Sequence, residues 1–243
     1  MKTILISALL ALTALPAAAG QIACVYDLAG PAELQRAGTE QWIPARKGLP
    51  LDQGDRLRTG EKAWCELLFK DGSFIKMEAG SETAAETLQT TAEGRVFSFS
   101  FLKGKALWMA SKLRKGAASK FSVRTPSAVC AVRGTDFSII VSSSGETSVG
   151  LYQGEVAVSN ELGEKTLLAG SEASAGTGEI ALQARLSSLM KAEERRYKKV
   201  KGRVESLRKR LAAREDFIDD YIGRQEKALA DFEKRRQEKL KKR

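Results

Sequence analysis

Two hydrophobic periods divide this chain. Up to about residue 170 short apolar runs alternate with polar residues and are closed by glycine-centred turns roughly every ten residues, the habit of an all-β domain. In Ala63–Phe69, Cys65, Leu67 and Phe69 share one face and Trp64, Glu66 and Leu68 the other, so apolar residues fall on both faces. Such a strand is expected to pack on more than one side. Asp71-Gly72 reads as a tight hairpin turn, because both residues tolerate positive φ, and the extended pattern resumes over Ser73–Met77.

From Ile180 onward proline is absent and the period becomes helical. In steps of three and four from Leu186 to Phe232, eleven of fourteen seam positions are apolar. A seam of about six heptads predicts a coiled coil or a helical hairpin. One continuous helix over residues 180–243 would reach about 96 Å at 1.5 Å per residue. Gly202 and Gly223 weaken that pattern, and the acidic cluster Glu215, Asp216, Asp219, Asp220 marks a candidate break.

Composition sharpens the division. Residues 180–243 hold 21 Lys and Arg against 11 Asp and Glu, whereas residues 1–179 hold 19 of each, so the net +10 belongs to the tail. The stretch AGSEASAGTGE, small and rich in Gly and Ser, reads as the linker. At the other end Lys2, the apolar run Ile4–Leu15, and Ala17 and Ala19 before Gly20 have the layout of a secretory signal peptide. That run is too short for the ~20 apolar residues of a spanning helix. The expected layout is a signal peptide at 1–19, a β domain at 20–178 and a basic helical tail at 179–243. An exported protein of the bacterial periplasm or outer envelope, with no cytoplasmic half, follows; a lipoprotein beginning at Cys24 is a minor alternative.

Histidine is absent, which removes the usual general base and the commonest metal ligand. Cys24, Cys65 and Cys130 are widely spaced with no C-x-x-C pair, so no zinc site is expected, and at most one internal disulfide of undetermined pairing. Asp52, Asp55, Asp71 and Asp136 all sit in glycine-rich contexts, where aspartate stabilises turns. No catalytic residue, cofactor or metal is therefore expected, and paired-carboxylate hydrolysis of a carbohydrate is the weak enzymatic alternative.

Five ordered blocks then carry a resemblance: LPLDQGDRLRTG (49–60), FKDGSFIKM (69–77), FLKGKALW (101–108), VRTPSAVCAVRGTDFSI (123–139) and GLYQGEVAV (150–158). Together they resemble the FecR domain, whose hallmark is a Thr-Pro pair followed by Arg-Gly-Thr-x-Phe, here Thr125, Pro126, Arg133, Gly134, Thr135 and Phe137. The resemblance covers roughly residues 28–170. It implies a mainly β fold, either a solenoid-like roll or a sandwich, and an envelope binding or scaffolding module with no catalytic residues to transfer. The name-giving members are inner-membrane regulators that pass an iron-uptake signal to a sigma factor, a role not carried over because the membrane-spanning layout differs.

The motif reads as structural: Gly134 for a backbone bend, Thr135 for a local backbone hydrogen bond, Phe137 with Val132 and Ile139 for the core. Arg133 is expected buried or half-buried against loop carbonyls, with a ligand contact as the weaker alternative, and Thr125-Pro126 at the end of an edge strand. In the tail, Arg195, Arg196, Lys198, Lys199, Arg208, Lys209 and Arg210 are the candidate partner contacts. Self-association through the helix, or contact with anionic lipid or lipopolysaccharide, fits these charges. A protein or glycan partner is expected for the β domain. Nucleic acid is disfavoured, since no recognition fold or stacking series accompanies the cations.

Overall fold

A computed structural model of the protein describes residues 20–91, 93–112 and 119–241; the expected signal peptide lies outside them. The chain begins with β1 (Ala23–Ala29), β2 (Ala32–Gln35), β3 (Trp42–Pro44), β4 (Arg56–Thr59), β5 (Trp64–Phe69), β6 (Phe74–Met77) and β7 (Glu82–Thr90). A fifteen-residue strand, β8 (Arg95–Met109), follows, then β9 (Lys120–Arg124), β10 (Val129–Val132), β11 (Asp136–Val141) and β12 (Thr147–Gln153). After β13 (Glu155–Asn160), β14 (Gly163–Leu168), β15 (Glu172–Ala175) and β16 (Ala181–Gln183) come the helices α1 (Ser188–Ala213) and α2 (Phe217–Lys241).

The long strand β8 organises the β part because each half serves a different sheet. Arg95 to Lys103 pairs antiparallel with β7 and parallel with β9, whereas Gly104 to Met109 pairs antiparallel with β6 and β11. Gly104 marks the junction with φ +92°, and a Cβ there would collide with the Ser81 backbone. The first sheet runs β1-β5-β6-β8-β11-β12-β15-β16 and the second β3-β2-β4-β7-β8-β9-β10-β13-β14. Every pairing except β8 with β9 is antiparallel, so the strands do not stack as solenoid coils; they form two open sheets.

Residues of both sheets meet in one core. Phe69 and Trp108 from the first sheet pack on Phe97, Phe99 and Phe121 from the second, with ring centroids 5.4–6.4 Å apart. The two-faced pattern of β5 is the local cause. Cys65, Leu67 and Phe69 enter this core, while Leu68 joins a second apolar cluster on the opposite face of the same sheet. Asp71-Gly72 makes the predicted turn, with Gly72 at φ +85° and the Ser73 N–H donating to Asp71 Oδ1 at 2.7 Å.

The helical tail departs from the expected coiled coil. Its seam residues Tyr197, Val204, Leu207 and Leu211 bury in one cluster with Leu68, Phe74, Leu107 and Met109 of the first sheet, joined by Phe217, Ile218 and Ile222 at the start of α2. The helix also breaks. Arg214 caps α1 in extended conformation and α2 restarts at Phe217 with Asp219 and Asp220 in its first turn, where acidic residues suit the helix N-terminus.

Candidate functional site

The outer face of the first sheet is strapped by α1 and the start of α2, and buried charged groups lie between them. Ser187 caps α1, accepting from the Met190 N–H at 3.2 Å, and its own N–H donates to Glu172 Oε2 at 2.7 Å. This seats the helix at the edge of β15. Gly150 on β12 leaves room for Met190, whose sulfur would lie 2.8 Å from a Cβ at that position.

Two buried carboxylates sit beneath the strap. Glu66 on β5, 1% exposed, accepts from Lys76 at 3.1 Å and from both terminal nitrogens of Arg203 at 2.8 and 2.5 Å. The bond to Glu66 holds the Arg203 guanidinium above its ordinary pKa. Asp136 on β11 accepts from Tyr197 Oη at 3.0 Å and lies 3.8 Å from Arg208. Burial raises its carboxyl above the ordinary value, only partly offset by Arg208 and by the Tyr197 hydroxyl. Arg208 also donates to the carbonyls of Gly72 and Met109, each at 3.0 Å, binding the β5–β6 turn to α1.

Aromatic contacts complete the strap. Tyr152 stacks on Tyr197 with centroids 5.0 Å apart, and Tyr221 packs on Tyr26 and donates to its carbonyl at 2.5 Å. The first turn of α2 is tied to the start of the β part, where the Gln21 N–H donates to Asp219 Oδ1 at 2.9 Å. Under the helix the Ser138 and Tyr152 hydroxyls are buried, with no hydrogen-bond partner among the described residues beyond each other.

The family-motif residues do not form one site: Thr125-Pro126 and Arg133-Gly134 lie at opposite ends of the β9–β10 hairpin. Gly134 makes its bend at φ +73°, and a Cβ there would sit 2.8 Å from Lys112 Cα. Phe137 enters the inter-sheet core with Val132 and Ile139. Three expectations are corrected. Thr135 is buried with its hydroxyl unpaired, while its carbonyl accepts from Ala110. Arg133 is exposed and bonds no carbonyl among the described residues. Thr125-Pro126 closes β9, which is interior, lying between β8 and β10; the Thr125 hydroxyl pairs with both backbone groups of Ala128.

The tail cations divide. Arg208 turns inward to the sheet, Arg196 pairs with Glu193 and Lys198 with Glu194, whereas Arg195, Lys199, Lys209 and Arg210 are exposed and make no ion pair among the described residues. The three cysteines are free and buried, and burial pushes each thiol up to about 12. Among the turn aspartates, Asp55 and Asp52 both contact Arg36, and Asp71 pairs with Arg95. No group of three or more His, Cys, Asp or Glu is placed to hold a metal among the described residues. Every carboxylate under the strap meets a cation, a hydroxyl or a backbone N–H, so the arrangement is suited to holding a helix. Sequence reading missed Glu66, Asp136, Glu172 and Tyr197 in this role; the one available signal was a charged residue inside the apolar run of β5.

No curated protein matches the sequence. Two crystal structures of a candidate anti-sigma factor from Parabacteroides distasonis are similar, each 20% identical with a TM-score of 0.45, over 54% of this chain and 59% of theirs. This chain therefore spans less than two thirds of that protein's length. The family described as FecR protein matches residues 55–157, from the entry of β4 into β13, and this stretch contains β8, Arg133-Gly134-Thr135 and Phe137. Over residues 55–157 the protein thus matches the FecR family.

Proposed function

We propose that this protein is a non-enzymatic binding or scaffolding module of the bacterial envelope, in which the FecR domain is a rigid body and the end of α2 is the contact element. The observation that carries this reading is the contrast within α2. Ile218 and Ile222 are buried against the body, whereas every residue from Glu226 to Leu240 is exposed. A helix that leaves its domain with Leu229, Phe232 and Leu240 uncovered presents a surface for something else. Self-association and contact with an anionic surface both suit it. Among the described residues no helix is long and apolar enough to cross a membrane, and export through the 1–19 segment belongs to this proposal.

The test compares residues 20–243 with residues 20–225 by solution mass and by co-sedimentation with lipopolysaccharide and anionic vesicles. The longer chain is expected to show at least one association that the shorter one loses. Equal behaviour of the two would overturn the reading. A second reading, a signalling component acting through a separate membrane partner, draws on the FecR domain itself. It predicts that deletion changes a defined set of transcripts under iron limitation, and an unchanged profile would remove it.

A further inference from the structure

We propose that residues 226–241 of α2 pair antiparallel with the same segment of a second copy, about a two-fold axis near Phe232. This deepens the scaffolding reading and rests on it.

Three observations converge. The exposed stripe continues an interface already in use: Ile218 and Ile222 are buried, and the same helical face runs on through Leu229, Phe232 and Leu240, which are 37%, 64% and 62% exposed. The segment has no packing of its own, and a helix of this length is marginal in water without a partner. Its charge is polarised. Residues 226–233 carry Glu226, Asp231 and Glu233 against Lys227, whereas residues 234–241 carry five cations against Glu238.

That polarity selects the partner. A parallel pair would set like charges side by side, and an antiparallel pair sets the acidic half of each helix along the basic half of the other. About Phe232 the seam closes on itself, with Phe232 near its own copy and Leu229 opposite the aliphatic stem of Arg236. Such self-complementarity is what a two-fold interface requires. A flat anionic membrane fits less well, because Asp231 and Glu233 flank Phe232 on the stretch that would have to insert. Two helical segments this short make a small interface, so a weak dimer is expected, with dissociation on the order of micromolar.

The test is sedimentation equilibrium on the chain from Gly20 to Arg243, alongside co-sedimentation with phosphatidylglycerol vesicles and phosphatidylcholine controls. The wild type is expected to dimerise, less tightly in high salt. Phe232→Asp should weaken the dimer at least tenfold while leaving the unfolding transition of the β part in place. The charge reversals K234E/R235E/R236E and E226K/D231K/E233K should each be monomeric alone and dimerise when mixed. A wild type monomeric up to hundreds of micromolar, or a Phe232→Asp protein that still dimerises, overturns the pairing. If that monomer binds anionic vesicles the scaffolding reading survives with a membrane as its target; if it binds neither, both readings fall.

Discussion

Asp136 and Glu66 lie on the same sheet face under the same helix, yet their surroundings differ. Glu66 is held by two cations, whereas Asp136 has one hydroxyl bond at 3.0 Å and an arginine at 3.8 Å, and burial outweighs both in raising its pKa. A carboxyl raised in the folded state binds its proton more readily there than in the unfolded chain. Its contribution therefore falls as pH rises from the ordinary carboxylate value through the raised one, and is a net cost at neutral pH. Asp136→Asn is accordingly expected to be at least as stable as wild type at neutral pH, with its advantage shrinking on acidification through that window. Urea unfolding from acid to neutral pH measures this, and an Asn variant clearly weaker at neutrality would show that Arg208 more than compensates the charge. The cysteines give a second test at this scale. Buried thiols raised to about 12 should be silent to a thiol reagent near neutral pH and should all react on unfolding.

At the scale of the element, α1 is held by an apolar row and a salt-bridge clamp that can be tested separately. Leu207 is 2% exposed within the cluster that joins helix to sheet. Leu207→Ala should cost about 2–5 kcal/mol, the usual range for a large-to-small change in a core. Arg203 is 41% exposed at its side chain and Glu66 keeps Lys76, so Arg203→Met should cost less, about 1 kcal/mol, between an exposed and a buried pair. Denaturant unfolding of both variants gives the ranking, and a larger loss at Arg203 would mean the clamp outranks the apolar row. The helical period of α1 is legible in the spacing of its apolar residues alone. Its packing partner is not, because a three-four seam buries equally well against another helix or against a sheet.

For the whole molecule, the tail is two parts with different roles. Residues 188–222 cover Cys24, Leu68, Phe74, Leu107 and Met109, and only the stretch beyond Gln225 stands clear. Cutting at residue 178 would bare that apolar face, whereas cutting at 225 would leave it covered. The 20–178 fragment is expected to bind a hydrophobic dye and aggregate, while 20–225 keeps the unfolding midpoint of the longer chain. A well-behaved 20–178 fragment would show that the strap is dispensable for folding.

The alternation of Cys65, Leu67 and Phe69 with Glu66 and Leu68, the Asp71-Gly72 turn, the ordered FecR blocks and the helical period of the tail were all determined by the sequence, because each depends on spacing within a few residues; the expected start at Ile180 was not, since β16 spans Ala181–Gln183 and α1 begins at Ser188. Even the break near Glu215–Asp220 was visible, since charges interrupted the seam. Which surface the seam meets, that Arg208 turns inward while Arg210 faces water, that Arg133 is exposed, and that Glu66 and Asp136 lie under one helix were decided only by tertiary structure. Those facts join residues more than sixty positions apart, as Tyr197 to Asp136 and Arg203 to Glu66 show. Local periodicity contains no information about which distant face will complete a buried charge.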